Sequence, residues 1–328
     1  MNLLKNKIKK ELMLLLLVSF FANLLLFSRQ SMELASKGLL IWYQNMIPSL
    51  FPFMVFSGYL VKSGLAGHFS RLLKPFLGCF FPSDGSMLYA LFMGFFCGFP
   101  MGAKVVADLL ESRQINDKQG EYLLAFCNNI GPLYLLGYVI PLFGWNHIST
   151  VFLLFYGVPL AYGFCLQFSG SYKKELKERA IPREEYAPSF PGPMEVHGSY
   201  LISFQISLEK AIEQMTLLGG CMVFFNCLQI YPRLLGLCMS AGPFRDIYVQ
   251  YLYGPLCCLL EIGGGLQTLS LSDSSLMALC YLTFGGLSCI MQTGFILRKT
   301  QLRLSTYLKH KLIQSVVLLL LFLLLKQF

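Results

Sequence analysis

Seven apolar runs constrain what this chain can fold into: Leu12 to Phe27, Gly38 to Val61, Tyr122 to Pro141, Ser149 to Phe168, Ile212 to Ile230, Leu276 to Leu297 and Leu312 to Leu325. Each reaches or approaches the roughly 20 residues that carry a helix across a hydrocarbon core of about 30 Å. Charged residues make up 13% of the chain and apolar ones 55%, whereas a water-soluble domain normally carries about 25% charge. The chain therefore reads as an all-α polytopic membrane protein with about seven transmembrane helices. Lys5, Lys7, Lys9 and Lys10 precede the first run, as in a secretory signal. No small-residue cleavage site follows it, and "LFSRQSMEL" predicts an uncleaved helix.

The formal charge of +9 does not point to nucleic acid. Lys and Arg lie in short segments beside the apolar runs, as membrane topology requires. The chain has 11 cysteines but no C-x-x-C or H-x-x-x-H spacing, so neither a metal site, a disulfide framework nor a cofactor is expected. Thiols within apolar segments, such as Cys97, Cys127, Cys165, Cys221, Cys280 and Cys289, read as small hydrophobes. Gly-x-Ser-x-Gly is absent, and His68, His147, His197 and His310 fall in loops or near helix ends. No enzyme is expected.

One apolar stretch is broken in its middle: "FMGFFCGFPMGAKVVADLL", Phe92 to Leu110, holds Gly98, Pro100, Gly102 and Lys104. Topology offers a reason. With the lysine-rich N-terminus cytoplasmic, treating this stretch as one ordinary span would put Lys173, Lys174, Lys177, Arg179 and Arg183 outside, against the positive-inside rule. A hairpin that enters and leaves on one side keeps them inside. The same treatment of Tyr253 to Ser272, "YGPLCCLLEIGGGLQTLSLS", places Arg298, Lys299, Arg303, Lys309 and Lys311 inside. Only Arg29, Lys37, Arg233, Arg245 and Lys326 are then outside, with Lys104 and Lys210 at membrane depth or its edge. Two re-entrant helical hairpins are predicted.

With the hairpins in place, two halves align. Each runs helix, hairpin, helix with a polar or glycine break, helix, and the two have opposite orientations. The breaks are "FCNNIGP" (Phe126 to Pro132) and "FGGLSCIMQ" (Phe284 to Gln292). The predicted organisation is an N-terminal helix and loop (1–37), a first repeat (38–168), a polar cytoplasmic linker (169–205) and a second, inverted repeat (206–328). Inverted repeats with paired interrupted segments point to a secondary transporter with its substrate site at the midplane.

The candidate binding residues sit at these breaks. At the first tip Gly102 permits tight backbone and Pro100 ends a helix. The following half-helix offers amide N–H groups to an anion, and Lys104 adds a full charge. An intramembrane lysine costs roughly 2.5–3.5 kcal/mol on insertion scales, so Lys104 is expected to contact substrate or to pair with an acid. Asn128 and Asn129 supply donors and acceptors. Glu261, an isolated acid before Gly263 and Gly264, could hold a coupling ion, hydrogen-bond substrate, neutralise Lys104 or form a purely structural pair. Gly285, Gly286 and Gln292 complete the set, although small residues there equally suit close helix packing.

At "CGFPMGAK", "EYLLAFCNNIGPLYLLG", "LEIGGG" and "FGGLSCIMQ" the chain resembles the sporulation integral membrane proteins with nucleoside-recognition (Gate) repeats, from Gly38 onward with the linker excepted. That family is distantly similar to concentrative nucleoside transporters. The resemblance implies a carrier that moves dipicolinic acid across the outer forespore membrane of an endospore-forming bacterium. Carried over by position, its hairpin contacts are Phe99, Pro100, Gly102, Lys104 and Glu261 to Gly264, and its unwound-helix contacts are Asn128, Asn129, Gly285, Gly286 and Gln292. The Gln-x-Glu pattern of the nucleoside transporters is missing at the first tip, and a cation there suits a planar dicarboxylate better. The expected partners are this small anionic substrate and membrane lipid, with a coupling ion and a homo-oligomer left open. A non-transporting scaffold for spore-envelope assembly and a nucleoside carrier are the alternatives.

Overall fold

The computed structural model describes residues 2–78, 81, 85–111, 113–173, 200–271, 277–298 and 300–325. Most of the predicted linker, 174–199, lies outside them. The regular elements among the described residues are all helices, and six helices are long and apolar enough to cross a membrane. These six coincide with six of the predicted runs. The first run falls within α1 (Asn2–Leu26), whose side chains from Leu12 to Val18 are exposed on its apolar surface.

α2 (Ser28–Ile41) and α3 (Ile47–Lys62) are joined by a widened π turn, Trp42–Met46, into one long span. α4 (Ala66–Leu77) then leads to α5 (Gly85–Phe96) and α6 (Met101–Glu111). α7 (Asp117–Cys127) starts at a capping box: the Asn116 side chain accepts from the Gln119 amide at 2.8 Å, and the Gln119 side chain accepts from the Asn116 amide at 3.0 Å. Helix stops after Cys127 and resumes at α8 (Pro132–Tyr134), continuing through a π turn at Leu135–Val139 into α9 (Ile140–Phe143). α10 (Ile148–Leu166) and the short α11 (Gly170–Lys173) complete the first half.

The second half opens with α12 (Tyr200–Leu228) and α13 (Ile230–Cys238). α14 (Pro243–Ile247), a π turn at Tyr248–Tyr253 and α15 (Gly254–Leu260) run on without leaving helical backbone. This arm begins well before the predicted start at Tyr253, because Arg245 and Asp246 dilute its hydropathy at the sequence level. α16 (Ile262–Leu269), α17 (Met277–Phe284), α18 (Leu287–Leu297) and α19 (Leu304–Leu325) follow.

Two pairs fold back as hairpins. In the first, α5 packs on α6, and Gly94 and Gly102, equally spaced about the tip, both press against the Cys127 carbonyl at the end of α7. In the second, Gly254 lies against Leu269 and Gly265 against the backbone of Cys258, which fixes α15 and α16 as antiparallel arms meeting at Glu261. The order helix, hairpin, broken helix, helix thus occurs twice. The halves interlock: α3 packs on α12, α10 on α19, and α6 on α18. The first hairpin is well enclosed, with Met87 to Leu91 and most of α6 buried. Leu39, Leu153, Leu217, Leu312 and Leu320 form part of an exposed apolar exterior, as an integral membrane protein requires.

Candidate functional site

Local chemistry creates four breaks that face one another. At the first tip Gly98 takes φ +80 and the Phe99–Pro100 peptide is cis; only glycine enters that backbone region without cost. Gly98 lies directly against the Gly131 amide nitrogen in the first broken helix. In the second broken helix Gly285 takes φ +78, next to the Phe99 ring, and Gly286 abuts the Cys258 carbonyl of the second hairpin. Each hairpin tip is therefore seated on the break of its own half, and Phe99 reaches across to the break of the other.

Both half-helix N-termini carry side-chain caps. At α16, Glu261 is the N-cap in extended backbone. Its Oε1 accepts from the Gly263 amide at 3.0 Å, and its Oε2 accepts from Gly264 at 2.7 Å and from Asn226 Nδ2 at 2.9 Å. Lys37 Nζ donates to Thr268 Oγ1 on the same arm at 3.1 Å. At α6 the Ala103 amide donates to Asn128 Oδ1 at 3.3 Å. The Asn128 amide nitrogen donates in turn to Tyr307 Oη at 3.1 Å and to Thr293 Oγ1 at 3.4 Å. Asn129 donates to the Phe126 carbonyl at 2.6 Å and accepts from Lys311 Nζ at 2.6 Å.

A cavity of about 50 Å³ lies where the breaks converge, room for a few waters. The first half contributes Met46, Phe99, Gly131 and Tyr134 to its wall. The second half contributes Met222, Glu261, Ser288 and Gln292. The wall is mainly apolar with a few polar groups aimed inward, the usual make-up of a small-molecule site. Gln292 Nε2 donates to Ser288 Oγ at 3.2 Å, which orients both. The Tyr134 hydroxyl is buried without a hydrogen-bond partner.

The sequence-derived residues divide into groups. Phe99, Glu261 and Gln292 line the cavity. Pro100 forms the first tip, Gly102 permits its contact with α7, Gly263 and Gly264 hold the Glu261 carboxylate, and Gly285 and Gly286 form the second break. Asn128 and Asn129 stand behind the wall as the network that joins the halves. Lys104 is elsewhere. It pairs with Asp108 one turn along α6, with side-chain exposures of 32% and 50%, and it meets neither the cavity nor Glu261.

Lys311 is the residue that sequence reasoning misplaced. The charge rule counted it as a cytoplasmic loop cation, yet it lies within α19 at 0% exposure, bonded to Asn129 and 5.3 Å from the centroid of the Phe99 ring. A signal was present. Tyr307, Lys311 and Gln314 recur at helical spacing, a polar stripe along one face of the helix.

Fold and site together define an all-helical integral membrane protein built around two helical hairpins and two broken helices. Within it, residues 44–146, the first hairpin and first broken helix included, match the family model described as Gate, nucleoside recognition. The chain is also similar to the sporulation integral membrane protein YlbJ of Bacillus subtilis (strain 168). The two are 27% identical over 338 aligned residues, which cover 92% of this chain and 80% of that protein. No solved structure matches.

Proposed function

We propose that this protein is a secondary-type carrier of a small anionic metabolite, dipicolinic acid, acting in the outer forespore membrane during endospore formation. One observation carries the carrier reading: two hairpin tips and two helix breaks, drawn from both halves, converge on one cavity. Non-helical backbone at membrane depth is tolerated only when buried in protein or lining a cavity. Paired interruptions in matching positions are the architecture from which alternating access is built. The hairpins are in this reading re-entrant, and the chain does no covalent chemistry.

Similarity to a sporulation membrane protein supports the cellular setting. The anionic substrate is supported by the donors gathered around the cavity, among them the unpartnered Tyr134 hydroxyl and the amide of Gln292. A nucleoside is the second reading. The matched model's description favours it, as do apolar walls edged by Glu261, Ser288 and Gln292. Purified protein in liposomes separates the two. Uptake of labelled dipicolinate, saturable and unaffected by excess uridine, is expected. Uridine uptake without dipicolinate uptake would replace the first reading with the second.

A further inference from the structure

Lys311 presents a problem that the carrier architecture alone does not explain. Its ammonium is fully buried, and of its N–H donors one is used, by Asn129 Oδ1. An ammonium has three donors and no acceptor. Among the described residues the ion pairs are Lys104–Asp108, Lys118–Glu121 and Arg233–Glu33; no carboxylate pairs with Lys311. A buried ammonium that lacks a counter-ion is strongly disfavoured: the group either gives up its proton or holds it against an anionic partner.

The surroundings show where a partner could come from. Lys311 Nζ stands over the Phe99 ring, and that ring is part of the cavity wall. One side chain therefore separates the unpaired charge from the chamber. Another unsatisfied donor lines the chamber itself: Tyr134, at 4% exposure, has a hydroxyl with no hydrogen-bond partner. The acid in the wall does not supply the missing charge, because Glu261 is already occupied by Gly263, Gly264 and Asn226.

We propose that Lys311 is the counter-charge for a substrate carboxylate, reached when the Phe99 ring turns aside, and that the Tyr134 hydroxyl donates to the same ligand. The pairing would keep the buried ammonium and the incoming anion from being isolated in a medium of low dielectric. This assignment deepens the anionic-carrier reading and rests on it. It moves the charge that selects the substrate from hairpin 1, where the sequence suggested it, to α19 of the opposite half.

The test uses the full chain in liposomes, with labelled dipicolinate and its uncharged diamide as probes. Lys311→Gln removes the charge while leaving a polar N–H donor, one methylene shorter, on the side of Asn129. It is expected to raise the KM for dipicolinate about tenfold or more and to abolish the preference over the diamide. Lys311→Arg is expected to keep that preference, and Tyr134→Phe to raise KM about three- to tenfold. A well-folded Lys311→Gln protein with unchanged KM and unchanged preference overturns the assignment while leaving the carrier reading intact. Wild-type protein that moves no carboxylate overturns both. Should neither Lys311 variant fold, Tyr134→Phe decides, and an unchanged KM counts against the proposal.

Discussion

At the scale of single residues, position on a helix decides more than proximity to a break. Lys104 follows the first tip closely, which made it the natural candidate for an inward charge. α6 turns it outward instead, on a stripe shared with Asp108 and Glu111, while Met101 to Ala103 and Val105 to Ala107 are buried. Spacing of four and seven residues marks that stripe in the sequence. Half-exposed ion pairs are worth about 0–1 kcal/mol. Lys104→Ala is therefore expected to leave the KM for dipicolinate within about twofold, measured beside Lys311→Gln in the same liposomes. A loss as large as that of Lys311→Gln would return the substrate contact to hairpin 1. Asn128 and Asn129 stood out as paired amides beside Gly-Pro, but as substrate contacts; their bonds instead join helices behind the cavity wall. Lys311 did not stand out, because a rule that counts cations by loop assigns sides and is blind to a side chain turned toward the core.

At the scale of elements, the breaks were the most readable feature. Glycine and proline interrupt apolar runs at Gly98 to Pro100, Gly131 to Pro132 and Gly285 to Gly286, and helix ends or restarts at each. Less readable were the π turns at Trp42–Met46 and Leu135–Val139. These carry Met46 onto the cavity wall and follow immediately after Tyr134, yet no residue type marks a widened turn. The second hairpin depends on an N-cap that pattern alone would not assign: Glu261 serves its own half-helix. Removing that carboxylate leaves the Gly263 and Gly264 amides and the Asn226 side chain short of an acceptor inside the protein. Glu261→Ala is expected to cost about 1–3 kcal/mol, seen as a lower unfolding temperature in detergent, and Glu261→Gln to recover part of it. Equal melting of the alanine variant and wild type would mean that water, and not this carboxylate, holds the tip.

For the whole molecule, alternation of apolar runs and basic segments gave helix positions for six of the spans now described. The recurrence of helix, hairpin, broken helix and helix was visible once the interrupted stretches were set aside. Contacts between the halves were not, because α3 against α12 and α10 against α19 join segments far apart in the chain with no shared motif. The fold-back of α5 on α6 places the two ends of hairpin 1 at one end of the bundle. Single cysteines at Arg71 and Arg113 are therefore expected to react with an impermeant thiol reagent from the same face of oriented vesicles. Labelling from opposite faces would make this segment a crossing and would reverse the orientation of everything after it.

The bonds of Asn128 have a mechanical consequence. One amide group holds the leading end of α6 and, through Thr293 and Tyr307, grips two helices of the opposite half. Moving hairpin 1 alone would break those bonds, which couples its displacement to α18 and α19 of the other half. In the carrier proposed above, such a linkage would keep the two doors from standing open together and small molecules from draining through.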